Sequence, residues 1–283
     1  MGGHLGRPLP MNLSPGRNWE VRLTGPHSVV GPAQAVLSSL RVQDETLPPL
    51  DVTVAPDGRR AEANASGLPL WSIVLPEAGW LAVLVGQVVA TATALLGHHL
   101  FVHAGAVVID GRGWVIIGES GAGKTSTVAI LVRKGAAYLS DEVALLDPAS
   151  GTVAPFALPM AVKPWTAKVA EPLPPGEVVA CEGETRFHLP HSRASGPVPV
   201  ESFILLRPGR AAHLTPVSRA DMVLAMAAHP SSLRYRRRME EAFVGFGRLF
   251  QGAACYYLTA PNPPVGADLV ATAARHRSRI LSL

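Results

Sequence analysis

Gly118-Glu119-Ser120-Gly121-Ala122-Gly123-Lys124-Thr125 is the stretch that decides how this chain is read. It satisfies every fixed position of the phosphate-binding pattern G-x-x-x-x-G-K-[ST]. Glycines at 118, 121 and 123 permit backbone conformations closed to other residues, so that successive N–H groups can turn inward around an anion. The start of the helix that follows adds its partial positive charge. The flanks suit this geometry: Trp114-Val115-Ile116-Ile117 reads as a buried strand, and Thr125 to Arg133 has the apolar spacing of an amphipathic helix. The ligand expected is ATP with Mg2+, held by Gly118, Glu119, Ser120, Gly121, Ala122, Gly123, Lys124, Thr125 and Ser126. Lys124 would reach the terminal phosphates and the Thr125 hydroxyl would bind the magnesium ion.

Beyond the loop helix, Lys134-Gly135 makes a C-cap, and Ala137-Tyr138-Leu139-Ser140 forms a short strand that ends on Asp141-Glu142. An acidic residue at the end of a strand is where phosphate-loop enzymes hold magnesium or orient the nucleophile. Here two adjacent carboxylates arrive sixteen positions beyond Thr125. A serine or threonine hydroxyl has a pKa far above 7, so an aspartate beside it accepts its proton late in phosphoryl transfer, the part expected of Asp141. Upstream, Phe101 to Val108 is strand-like and carries His103, which could orient a carboxylate by hydrogen bonding. The tight turn Asp110-Gly111-Arg112-Gly113 then leads into the strand that delivers the loop.

Taken together, His103-Ala104-Gly105-Ala106-Val107, the loop, Arg133-Lys134-Gly135 and Leu139-Ser140-Asp141-Glu142 resemble the catalytic core of the HPr kinase/phosphorylase family. They are most similar to the HPr kinase-like proteins encoded beside peptide-modifying enzymes. The resemblance covers residues 100 to 165 well and the tail weakly. It implies an α/β fold with a P-loop kinase core of the HPr kinase and phosphoenolpyruvate carboxykinase type. It makes Asp141 the base, Thr125 a magnesium ligand joined by Asp141 and Glu142, and His103 a neighbour of the second acid, with Lys124, His103, Asp141 and Glu142 as the catalytic set. Glu142 stands where the family has a second Asp. The family's C-terminal signature is not visible, so HPr is not the acceptor expected; a serine of a ribosomally made peptide, of the lasso type, is. A small-molecule kinase would share this core, and a nucleotide-sensing regulator without chemistry would need a dead base, against which the intact Asp141 argues.

The chain has 283 residues, 48% of them hydrophobic and only 16% charged, enough to bury a sizeable core. Two cysteines without metal-site spacing suggest a reducing, cytoplasmic setting. A net charge of +4 suits phosphate ligands but is too slight to argue for nucleic acid. The longest apolar stretch, Trp80 to Leu96, is interrupted by polar and glycine positions, so it reads as a buried helix or a strand plus helix and no membrane span is expected. The sequence divides into a flexible tail at 1–16, a small β-containing cap at 17–97 and the catalytic region at 98–283. In the cap, 19–23 and 50–54 read as strands and 36–40 as a short helix or strand. Trp71–Leu75 and Trp80–Val85 read as a hairpin about Pro76–Gly79. Downstream, Lys163, Arg186 in a polar loop at 182–193, and Arg234 and Arg237 of a basic cluster are candidates for substrate contact. Ser202–Arg207 is a central strand, Ser218 caps a helix, and 254–258 and 268–281 are a last strand and helix. The sequence leaves open a homo-oligomer.

Overall fold

The computed structural model describes residues 20–40, 48–95, 99–228 and 239–281; the tail at 1–16 and the candidates Arg234 and Arg237 lie outside them. The first unit is a four-stranded sheet in the order β1-β2-β3-β4. Its strands are β1 (Val21–Thr24), β2 (Leu50–Val54), β3 (Arg60–Ala65) and β4 (Leu68–Val74), with helices α1 (His27–Leu37) and α2 (Trp80–Leu95). Strand alternation puts Leu50, Val52, Val54, Ala61 and Ala63 inside, while Asp51 and Thr53 face outward. The hairpin expected at 71–85 is not formed. Leu81, Leu84, Val85, Val88, Val89 and Ala92 are all buried, a spacing that buries one face only as a helix, so Trp80 opens α2. β4 instead pairs with β3 through Ser66-Gly67, both at positive φ. Trp71 Nε1 donates to Thr91 Oγ1 at 2.8 Å, tying β4 to α2.

The chain continues through β5 (Leu100–Val102), β6 (Ala104–Ile109), β7 (Arg112–Ile117), α3 (Lys124–Arg133), β8 (Ala137–Ser140), β9 (Ala144–Asp147) and β10 (Thr152–Ala154). A three-stranded sheet follows in the order β11-β13-β12, made of β11 (Met160–Val162), β12 (Gly176–Glu182) and β13 (Thr185–Pro190), with α4 (Pro164–Ala170) after β11. The last elements are β14 (Val198–Pro208), β15 (His213–Pro216), α5 (Arg219–Ala228), α6 (Met239–Gly252), β16 (Ala254–Ala260) and α7 (Pro263–Leu281). β5 through β10 with β14, β15 and β16 make a nine-stranded mixed sheet. Within it β14 runs parallel to both β7 and β16, so the carboxyl ends of β7, β14 and β16 lie along one edge.

Each face of this sheet buries its own core. On one face Ile117, Phe203 and Leu205 pack against Met222, Phe246 and Phe250, with Phe203 edge-on to Phe250 at 4.7 Å between ring centres. On the other, Ile116, Ile204 and Leu206 meet Val128 and Leu131 of α3 and Ala267 and Val270 of α7. The core of the N-terminal unit runs on into Phe101, Val143, Leu145, Phe156, Leu158 and Phe187 of the second. The backbone N–H of Leu81 adds a bond to Glu182 Oε1 at 3.1 Å. Among the described residues no helix is long and apolar enough to cross a membrane.

Candidate active site

The loop leaves β7 at Gly118 and enters α3 at Lys124. Gly121 (φ 82°) and Gly123 (φ 95°) take the left-handed backbone that the inward turn needs. The loop is wedged on two sides: a Cβ at Gly118 would come within 3.0 Å of Leu206 Cβ, and one at Gly123 within 3.0 Å of Pro263 Cγ. The end of β14 and the start of α7 thus set its shape. Lys124 is 6% exposed, and its Nζ donates to Gly118 O at 2.9 Å and Glu119 O at 3.0 Å, which puts the ammonium on the loop's inner side. Ser126, in the first turn of α3, is buried.

Asp141 follows β8 in a turn held by Ser140, whose Oγ accepts from Val143 N–H at 3.0 Å and Glu142 N–H at 3.3 Å. β8 itself pairs with β6, and Gly105 of β6 lies under α3, where an added Cβ would meet Val128 at 2.5 Å. Asp141 lies close enough to the Thr125 hydroxyl for the hydroxyl to lower its pKa. Asp141 is 4% exposed, and Tyr138 Oη stands 2.8 Å from its Oδ1 and 2.6 Å from Leu158 O. Burial raises the Asp141 pKa to about 6; the bonds from Tyr138 and Thr125 pull it down, and the nearby Glu142 charge pushes it further up. Burial and the Asp141 charge push the Tyr138 hydroxyl well above 10, so it stays a neutral phenol.

His103 occupies a break that the sequence reading missed. Residues 101–108 form two strands, because β5 pairs with β9 while β6 pairs with β7 and β8. The histidine sits at the switch, one residue before Ala104, which pairs with Ile117 at the foot of the loop. Its Nδ1 faces two acceptors, Glu142 O at 2.9 Å and Glu142 Oε1 at 3.3 Å, so Nδ1 carries a hydrogen. Glu142, half exposed, therefore turns its carboxylate toward His103, while Asp141 turns toward Thr125 and Tyr138.

Lys163 and Arg186 sit at the three-stranded sheet, whose β11 packs against α3. Lys163 is exposed just after β11, and Arg186, expected in a loop, lies on β13 opposite Val162. The strand extends there because Phe187, His188 and Leu189 are buried, which a polar reading of 182–193 overlooked. The two cations share one end of the three-stranded sheet. Arg207, next to last in β14, pairs with Thr259 of β16 and sets its guanidinium 3.5 Å over the Tyr257 ring.

The residues present fit magnesium and a nucleoside triphosphate. A left-handed glycine turn, the N–H groups at a helix start and a buried ammonium supply the anion site. The Thr125 hydroxyl and the Asp141 carboxylate supply adjacent oxygen donors. Among the described residues no three His, Cys, Asp or Glu gather as a metal site of their own, so phosphate oxygens and water would complete the shell. No family model matches the chain, and no curated protein is similar to it. A solved structure is. It is that of the HPr(Ser) kinase/phosphatase from Coxiella burnetii, similar at 14% identity and a TM-score of 0.35, covering 65% of this chain and 99% of that one.

Proposed function

We propose that this chain is a phosphotransferase that uses Mg·ATP to phosphorylate a hydroxyl, the acceptor being a serine of a ribosomally made peptide of the lasso type. The observation that carries the reaction class is Asp141, buried, held by Tyr138 and close to the Thr125 hydroxyl of the phosphate loop, with a pKa raised to about 6. A base near neutrality, beside the loop that would hold the triphosphate, suits proton removal from an alcohol. The peptide acceptor is supported by the resemblance of the His103, loop and Asp141-Glu142 elements.

In the reaction the acceptor oxygen forms a bond to the γ-phosphorus as the bond from that phosphorus to the β,γ-bridging oxygen breaks, and ADP leaves. Asp141 takes the hydroxyl proton. Lys124 and the loop N–H groups stabilise the charge on the phosphoryl oxygens, Thr125 and Asp141 would hold the magnesium, and His103 fixes Glu142 at the rim of the site. Bound magnesium supplies positive charge to the transferring phosphate.

Purified protein and its Asp141→Asn variant, incubated with γ-labelled ATP, magnesium and a serine-containing precursor peptide, test the reading. Labelled phosphoserine with the wild type alone supports it. Tight ATP binding with no labelled peptide removes the peptide acceptor, and equal transfer by both proteins removes Asp141 as base.

A further inference from the structure

In the sequence Tyr138 is one apolar position of a short strand, yet its single O–H is shared between two acceptor oxygens at the shortest side-chain distances of the site. The ring is fully buried, and its backbone is pinned on the open side of β8: Tyr138 N–H donates to Ser192 O at 2.8 Å, and Ala194 N–H donates to Tyr138 O at 3.0 Å. The phenol oxygen is then held between Asp141 Oδ1 at 2.8 Å and Leu158 O at 2.6 Å. The Leu158 carbonyl is no loose partner. Two residues before it, Phe156 N–H donates to Leu139 O of the same strand at 3.1 Å, so the anchor and the ring move together.

We infer that Tyr138 is a positioning residue for Asp141. Resting on the reading of Asp141 as the base, it holds Oδ1 and so fixes the orientation in which the carboxylate meets the acceptor hydroxyl. That contact is what sets the rotation of the carboxylate, which stands three residues further on in a turn set by Ser140. General-base catalysis needs the acceptor within about 0.5 Å of its productive place, a tolerance that a freely rotating carboxylate does not meet. A phenylalanine at 138 keeps the ring among Val107, Leu131 and Met160 of the same core and removes only the hydroxyl.

The test is Tyr138→Phe, alone and combined with Asp141→Asn. The expected result for Tyr138→Phe is a kcat reduced about 10- to 100-fold, as a loosened catalytic group costs, with KM for Mg·ATP within about twofold of wild type. In the Asp141→Asn background the same change should add almost nothing, because the two residues act as one unit. A purely structural Tyr138 would weaken nucleotide binding along with turnover and would lower activity equally in both backgrounds; either result overturns the inference. Crystal structures of wild type and Tyr138→Phe give a readout independent of turnover. Asp141 should leave its single side-chain orientation in the variant; an unchanged carboxylate overturns the inference even in a protein that transfers no phosphate. A wild type without transfer to peptide, alcohol or water would instead defeat the functional reading, leaving the crystallographic comparison to decide on Tyr138.

Discussion

Asp141→Asn should stabilise the protein in the absence of magnesium and nucleotide, and more so at higher pH. The carboxyl has an ordinary pKa of 3.8 and a folded value of about 6, raised chiefly by burial. A raised folded pKa means that the neutral form is favoured in the native state: the associated stability is fully present below 3.8 and is lost as pH climbs through 6. Multiplying that rise by 1.36 kcal/mol gives about 3 kcal/mol between strongly acid and alkaline solution. At pH 5 roughly half of it survives, so the wild type should lose about 1.4 kcal/mol relative to Asp141→Asn between pH 5 and pH 8, or tenfold in the folding constant. Asparagine is nearly isosteric and never ionises, and its Oδ1 can still accept from Tyr138. The measurement is urea unfolding of both proteins in EDTA at the two pH values; titrations common to both cancel in the difference. A gap that is the same at pH 5 and pH 8, or that narrows with rising pH, would refute the burial argument. Adding Mg·ATP should close the gap or reverse it, because the cation then favours the charged carboxylate.

Three further outcomes follow from the same geometry. Lys124→Met removes the buried ammonium; at about 1.5–3 kcal/mol for hydrogen bonds to a charged group, ATP affinity should fall roughly 10- to 100-fold, as measured by calorimetric titration. Gly123→Ala forces a Cβ onto a φ of 95° and against Pro263; it should cost about 1–2 kcal/mol in thermal or urea unfolding and abolish detectable nucleotide binding. Phe156→Ala empties a fully buried site where the ring packs edge-on to Phe101 at 6.3 Å between centres. A loss of about 3–5 kcal/mol is expected, with the signals of the N-terminal unit and the main sheet unfolding together, since Phe156 belongs to the core they share.

Much of the main sheet was legible because its strands carry local signals. The loop strand at 114–117, the strand ending on Asp141 and the central strand at 202–207 are apolar runs bounded by glycine or proline, and the structure forms each. The N-terminal unit was less legible. The run from Trp80 is apolar at almost every position, so its helical period shows only once burial separates Leu81, Leu84 and Val88 from exposed Val83. The break at His103 could not be read at all: nothing local distinguishes it, and it arises because β5 and β6 join different neighbours.

The site divides along the same line between local and distant information. The turn of the loop at Gly121 and Gly123 and the burial of Lys124 follow from a contiguous motif, so sequence spacing located them. What makes Asp141 more than an acidic residue at a strand end comes from three partners: Thr125 across the β6–α3 contact, Tyr138 three residues back on β8, and the Leu158 carbonyl twenty residues beyond the tyrosine. Each is brought in by packing, and the closest packing is at Gly105, where any side chain would press on Val128 and lift α3, with Thr125, away from Asp141. Gly105→Ala therefore discriminates between a site built by the motif alone and one built by helix-on-sheet contact. Overpacking of this kind costs about 1–3 kcal/mol. If the contact matters, the variant should bind ATP through an intact loop while losing phosphoryl transfer, with nucleotide affinity and turnover measured on the same preparation. Transfer at the wild-type rate would show that Asp141 needs no such support.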